Sequence, residues 1–102
     1  MQSGIRERDV EKKVTEYAKK QGWISFKWVS PAQRFVPDRL YFKNGRVIII
    51  EFKAPGKKPT KAQAVMHKLL DNSGHPVYIV DNIDDGKTYF DDKTSIRNAS
   101  RH

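Results

Sequence analysis

The sequence contains no cysteine, so disulfide bonds and zinc sites built on thiolates are excluded. Histidine is scarce, and His67, His75 and His102 are too scattered for a histidine-rich metal cluster, so each is interpreted as an ordinary surface or core residue. Long hydrophobic runs are also missing. No stretch approaches the length of a membrane span, and the N-terminus lacks the apolar segment of a signal peptide. The chain is therefore expected to be soluble and intracellular.

Positive charge is what the chain has in excess. Its 102 residues include 20 Lys and Arg against 12 Asp and Glu, a formal net charge of +8. This charge favours an anionic partner, and nucleic acid is the first candidate. A membrane surface is disfavoured, because the basic residues do not gather on a helix with a bulky apolar face. The length predicts one domain over residues 1–102, with a core at about 5–90 and a mobile tail or short added helix at 91–102.

Two segments have the spacing of amphipathic helices. The first is predicted over residues 6–21, with Gly22 as its C-terminal stop. Its apolar stripe consists of Val10, Val14, Tyr17 and Ala18. The second begins after the cap residue Thr60 and runs to about Asn72. Its sheet-facing residues are predicted to be Val65, Met66, Leu69 and Leu70.

The remaining apolar segments predict a mixed sheet. Strands are expected at residues 23–30, on both sides of the Asn44-Gly45 turn, and at residues 77–80, with a further edge strand at residues 88–90. Since the strand at 77–80 follows a helical crossover, it should lie parallel to the strand before that crossover. The order α-β-β-β-α-β predicts a small α/β sandwich, in which helices flank a mixed central sheet.

The hairpin around Asn44-Gly45 carries the most chemical information. This dipeptide between apolar runs predicts a two-residue type I′ turn. Counting outward from the turn places Asp38 opposite Glu51 on one face of the hairpin. The side chain of Lys53, two residues further on, returns to the same face. Two carboxylates beside an ammonium can bind a hard divalent metal, and this layout is typical of enzymes that cleave phosphodiesters.

A structural interpretation competes with the metal site. An Asp followed by Glu-x-Lys is a short, degenerate pattern, and its charges could simply be solvated at the end of a sheet. The run Ile48-Ile49-Ile50 favours the site, because it predicts a buried central strand on which the unpaired charge of Glu51 would be costly.

Two further polar residues allow a structural and a functional interpretation. Glu11 borders the apolar stripe of the first helix, so it could serve the site or pair with a nearby Lys or Arg. Gln63 completes a capping box with Thr60, in which its side chain bonds back to the amide of the cap residue. Spacing alone therefore leaves the role of both residues open.

Taken together, these residues resemble a known family. Glu11, Pro37-Asp38, the phrase Glu51-Phe52-Lys53-Ala54-Pro55 and Gln63 follow one another as in the VRR-NUC group of the PD-(D/E)XK nuclease superfamily. The likeness runs from about residue 10 to residue 80. The Glu-x-Lys-Ala-Pro phrase followed by Gln is more specific than Asp and Glu-x-Lys alone, whereas the acidic stretch at 81–92 carries no family signal.

The resemblance implies a restriction-endonuclease-like sandwich and a magnesium- or manganese-dependent endonuclease acting on DNA. Asp38, Glu51, the backbone carbonyl of Phe52 and Glu11 are then expected to hold the metal, Glu11 directly or through a water. Lys53 would stabilise charge on the phosphate or orient the attacking water, and Gln63 would position Lys53 or that water.

The resemblance also implies a substrate and an assembly. Free-standing members of the group, often from phages or bacteria, form dimers and cut branched DNA such as four-way junctions. A homodimer resembling a Holliday-junction resolvase is therefore predicted, in the cytoplasm of a bacterial host. Lys57, Lys58 and Lys61 lie beside the hairpin and are predicted to contact DNA phosphates. The alternatives are a monomeric flap or nicking nuclease and a non-catalytic nucleic-acid-binding module.

Overall fold

A computed structural model describes residues 5–91 of the chain. Its elements are α1 (Glu7–Lys20), β1 (Ile24–Lys27), β2 (Arg39–Lys43), β3 (Arg46–Phe52), α2 (Lys61–Asn72), β4 (Val77–Val80) and α3 (Ile83–Thr88). The strands lie in the order β1-β2-β3-β4; β1, β2 and β3 pair antiparallel, and β4 is parallel to β3. The predicted mixed α/β fold is confirmed, with α3 added. Each helix of this part of the chain is too short or too polar to cross a bilayer.

The hairpin forms as the turn chemistry predicts. Asn44 and Gly45 have φ angles of 50° and 80°, and a type I′ turn requires positive values at both positions. The β2–β3 register runs from Lys43 opposite Arg46 to Arg39 opposite Ile50. The predicted register is therefore confirmed over the five pairs next to the turn.

The hydrophobic core lies on one face of the sheet, under α1 and α3. Tyr41, Ile50, Phe52 and Phe90 are all fully buried there, together with the apolar stripe of α1. Phe90 packs against Tyr41 with ring centroids 4.6 Å apart. Because alternate residues of a strand point to opposite faces, Ile50 and Phe52 of β3 enter this core while Glu51 lies on the other side.

The edge strand predicted at residues 88–90 is wrong. The side chain of Asn82 accepts a hydrogen bond from the backbone N–H of Asp85 at 2.9 Å and caps α3. Gly86 allows α3 to pack tightly, since a Cβ at this position would lie 2.5 Å from Val14 and 2.8 Å from Val80. The short helix therefore closes the core and carries Phe90 into it.

Helix α2 covers the opposite face loosely and is rotated from its predicted orientation. Val65 and Leu69 are 64% and 60% exposed, so the prediction that they face the sheet is wrong. The partly buried residues are spaced three and four apart along the helix: Gln63, Met66, His67 and Leu70. Glu51 explains the rotation, because Gln63 donates a hydrogen bond to its carboxylate.

Two predictions concern regions that the structure leaves undescribed or untested. The tail predicted at residues 91–102 lies, apart from Asp91, outside the described residues. The assignment of all 102 residues to one domain stays a prediction.

The strand predicted at 23–30 is shorter, Ile24–Lys27, and a loop leads from it to Pro37.

Candidate active site

Asp38 is tied to the end of β3 by backbone and side chain together. It follows the buried Pro37 and lies one step beyond the last β2–β3 pair. Its N–H donates to the carbonyl of Ile50 at 3.1 Å, and its Oδ2 accepts a hydrogen bond from the N–H of Phe52 at 2.7 Å. Burial raises the pKa of the Asp38 carboxyl, and the Phe52 N–H opposes that rise.

Glu51 is a buried carboxyl group in the middle of the sheet. It stands opposite Ile79 of β4 and is only 3% exposed. Burial, and then the negative charge of Asp38, raises the pKa of Glu51 to about 7, while the positive charge of Lys53 lowers it. The neutral and the charged form of Glu51 are therefore both accessible near neutral pH.

Lys53 provides that cation. Its Nζ lies 3.6 Å from Oε2 of Glu51, and its side chain is 13% exposed. The Lys53 N–H donates to the carbonyl of Val80 at 2.9 Å, which joins the end of β3 to β4. The structure thus brings Lys53 and Glu51 together on one face, as the hairpin count predicts.

Gln63 makes two kinds of contact, one within the cap of α2 and one with the candidate site. Its Oε1 accepts a hydrogen bond from the Thr60 N–H at 2.9 Å, and its own N–H donates to Oγ1 of Thr60 at 3.2 Å, which completes the capping box. Its Nε2 donates to Oε2 of Glu51 at 3.1 Å. The contact is with Glu51 rather than with Lys53.

His67 also faces the site, although the sequence analysis treats it as an ordinary histidine. Its Nε2 lies 4.0 Å from Oε1 of Glu51 and is buried without a hydrogen-bond partner. Burial lowers the pKa of the imidazole, and the nearby charge of Lys53 lowers it further. The sequence signal for this position is that His67 lies one helical turn after Gln63 and therefore on the same side of α2.

Glu11 is held elsewhere. Its Oε2 lies 2.7 Å from Nε of Arg39 and 3.2 Å from Nζ of Lys27. This is the pairing that the sequence left open as a structural role. The negative charge of Glu11 still raises the pKa of Asp38, but both of these ion pairs are with basic residues outside the Asp38–Glu51–Lys53 group. Its role as a metal ligand stays a prediction.

Glu7 is a second residue that the sequence analysis missed. It is the first residue of α1, and its negative charge raises the pKa of both Asp38 and Glu51. Glu7 lies one helical turn before Glu11, so both occupy the same side of the helix. The signal in the sequence is a second acidic residue one helical turn before Glu11.

The three predicted phosphate-contacting lysines are exposed at the edge of this face. Lys57 and Lys58 belong to the loop between β3 and α2, and Lys61 is the first residue of α2. The loop is anchored by the Gly56 N–H, which donates to Oδ2 of Asp81 at 3.1 Å. Their exposure leaves all three accessible to a phosphate backbone.

The donor set at the end of the hairpin fits a hard divalent cation. Within residues 5–91 no three His, Cys, Asp or Glu side chains form a ready-made metal cluster. Mg²⁺, however, is commonly held by one or two carboxylates and keeps several waters. Asp38 and Glu51 are two carboxyl groups of this kind; burial raises the pKa of both, and the negative charge of Asp38 raises that of Glu51 further. A bound cation would compensate that charge.

Known proteins resemble this chain in sequence and in fold. No family model matches the sequence. "Putative nuclease p44" of Acyrthosiphon pisum secondary endosymbiont phage 1 is 46% identical over 81 residues, which cover 78% of this chain and 87% of the phage protein. A solved structure described as "VRR_NUC domain" has a TM-score of 0.76 at 22% identity, over 83% of this chain and 94% of that chain. The chain therefore belongs to the family of this phage protein, and its fold is that of the VRR_NUC domain.

Proposed function

We propose that the protein is a Mg²⁺- or Mn²⁺-dependent DNA endonuclease whose centre consists of Asp38, Glu51 and Lys53. The observation that carries this proposal is the buried Glu51, whose pKa of about 7 reflects burial and the adjacent Asp38. A structural ion pair needs one carboxylate for one ammonium, whereas here Asp38 adds a second carboxyl group near Glu51, whose Oε2 already lies 3.6 Å from the Lys53 Nζ. The nuclease name of the phage relative supports the same activity.

Asp38, Glu51 and the backbone carbonyl of Phe52 would hold the cation. When bound, such an ion lowers the pKa of a water and neutralises charge on the phosphate. Helix α1 would add a third carboxylate. Glu11 is the residue that the resemblance implies, and Glu7 is favoured by its effect on both Asp38 and Glu51.

The other side chains of the site would stabilise charge on the phosphate, orient the Glu51 carboxylate and bind the DNA backbone. Lys53 places an ammonium on the face of the two carboxylates, where it can stabilise negative charge that builds on the phosphate. Gln63 fixes Oε2 of Glu51 through its 3.1 Å hydrogen bond, so that Oε1 and Oε2 of this carboxylate are not equivalent. Lys57, Lys58 and Lys61 would contact the DNA backbone, which adds affinity but reads no sequence.

The proposed substrate is branched DNA, cut by a homodimer. A four-way junction needs two matched incisions, and a two-fold pair of chains supplies two centres. Support comes from exposed apolar residues on the sheet face that α1 does not cover. Ile24, Phe26 and Val47 are 58%, 57% and 42% exposed there, and such patches often mark contacts between proteins. A monomer that nicks or cuts flaps is the alternative.

One assay separates these possibilities. The purified protein and its Glu51→Gln variant are incubated with linear, flapped and four-way DNA, with and without Mn²⁺. Paired, metal-dependent cuts in the four-way DNA by the parent alone are expected. Cuts confined to flapped DNA would favour the monomeric nuclease, and binding without any cleavage would favour a non-catalytic module. Sedimentation at micromolar protein concentration tests the dimer independently.

A further inference from the structure

The loop between β1 and β2 contains an aromatic residue in an unfavourable backbone conformation. Phe35 has a φ of 67°, in the left-handed region that a bulky L-residue rarely adopts. Its ring is 43% exposed, so burial of the ring compensates only part of that cost. Strained residues of this kind cluster at functional sites.

The loop that carries Phe35 leads directly to Asp38 of the candidate active site. The Trp28 N–H donates to the carbonyl of Asp38 at 2.9 Å and closes the base of the loop. Phe35 stands three residues before Asp38, so their Cα atoms are at most about 11 Å apart. The guanidinium carbon of Arg34 lies 5.1 Å from the centroid of the Phe35 ring. Arg34 and Phe35 therefore place a planar cation and an exposed ring together on the loop that leads to Asp38.

We propose that Arg34 and Phe35 form a stacking surface for an unpaired nucleobase of the DNA substrate, beside the phosphate that is cut. This inference rests on the proposed nuclease function. A phenyl ring offers a π-face that accepts any base, and Arg adds stacking and charge, which together are typical of sites for single-stranded nucleic acid. The net charge of +8 favours the same partner.

The surface selects unpaired bases because a paired base is already stacked in its duplex. Flaps, gaps and the centres of junctions expose bases that can be drawn onto an aromatic ring at little cost. Phe35 would then distinguish branched from fully paired DNA, while the lysines beside the hairpin bind both through phosphates.

The test compares Phe35→Gly with Phe35→Trp and with the loop control Val29→Ala, whose parent side chain is 77% exposed. Binding to a paired duplex and to the same duplex with a short single-stranded gap is measured with Ca²⁺ in place of the catalytic metal. Phe35→Gly is expected to weaken gap binding about tenfold, or about 1.4 kcal/mol, and duplex binding less than about twofold. Phe35→Trp and Val29→Ala should bind like the parent.

Thermal melting of the same variants supplies an independent readout. Glycine adopts a positive φ without a steric penalty, so Phe35→Gly is expected to raise the melting temperature by about 2–5 °C. A variant that is more stable yet binds gapped DNA less well supports the proposal. A residue that only supports the fold would instead lose stability and binding together.

Three outcomes overturn the inference. The first is equal gap binding by parent and Phe35→Gly, and the second is an equal loss on gapped and paired DNA. The third is conversion of a dimer to a monomer by Phe35→Gly, which would identify the ring as a protein contact. Metal-dependent cleavage by the parent, measured alongside, shows whether the proposed function survives such a failure; a parent that neither binds nor cuts DNA overturns both.

Discussion

The two faces of the sheet differ in what they bury. Under α1 and α3, the side chains of Ile50 and Phe52 are completely buried in an apolar core. Under α2, which has no buried residue of its own, Glu51 of β3 accepts a hydrogen bond from Gln63 and pairs with Lys53, which follows the end of β3. One strand thus supports stability on one face and the candidate chemistry on the other.

This difference follows from the two-residue period of a strand. Adjacent residues of β3 share one backbone, but their side chains point to opposite faces. A substitution at one position therefore changes only one face of the sheet. Changes on the core face should therefore alter the free energy of unfolding, and changes on the site face should alter metal binding and turnover. Each experiment below tests that separation.

The largest effect is expected from removing one of the two carboxylates proposed to bind the metal. Glu51→Gln and Asp38→Asn should each reduce cleavage at least about 10³-fold, since charge stabilisation by the metal contributes several kcal/mol. Melting without metal should stay level or rise, because Glu51→Gln removes a buried charge. Cleavage assays and metal-free melting curves check the two halves, and parent-like cleavage by either variant would contradict the ligand assignment.

Ile50→Ala and Lys53→Ala form a matched pair of variants. Ile50 lies on the core face of β3, and Lys53 follows the end of β3 on the site face. The cavity left by Ile50→Ala should cost about 2–5 kcal/mol of stability, with cleavage preserved at temperatures where the variant stays folded. Lys53→Ala should cost less stability than Ile50→Ala, because Glu51 can take up a proton when the neighbouring cation is lost, and it should reduce turnover more than metal affinity. Lys53→Arg should restore little turnover, because its planar fork differs from an ammonium. Denaturant melts and kinetics measure both, and Lys53→Ala cleaving like the parent would remove Lys53 from the catalytic centre.

The raised pKa of Glu51 predicts a pH dependence for the metal-free protein. The pKa of Glu51 is higher in the folded protein than in the unfolded chain, so the folded protein binds the proton more tightly. Proton binding therefore stabilises the fold. This contribution is full below about pH 4.5 and is lost as pH rises through about 7. The free energy of unfolding of the parent should fall relative to Glu51→Gln across this window. Parallel curves for the two proteins would contradict the burial of an ionisable Glu51.

The smallest effect is expected at His67. Its buried Nε2 has no hydrogen-bond partner, so His67→Leu should stabilise the metal-free protein by about 1 kcal/mol. His75→Leu, at an exposed position, serves as the control and should change stability by less than about 0.5 kcal/mol. Denaturant melts measure both, and a destabilised His67→Leu would show that the imidazole makes a favourable contact.

The sequence predicted the parts that depend on local chemistry. Asn44-Gly45 defines the turn, the turn defines the register, and the register brings Glu51 and Lys53 to one face. The rotation of α2 could not be predicted in this way, because the apolar spacing favoured Val65 and Leu69 and the competing attraction of Gln63 for a carboxylate is a tertiary contact. Helix α3 was missed for a similar reason: it depends on the close approach of Gly86 to α1.

The double contact of Gln63 also has an evolutionary consequence. One amide group both starts helix α2 and fixes an oxygen of Glu51, so selection for folding and selection for chemistry act on the same side chain. A lineage that abandoned catalysis could keep Gln63 for the cap alone. Retention of Gln63 in a descendant is therefore poor evidence for activity, whereas joint retention of Gln63, Asp38 and Lys53 would be informative.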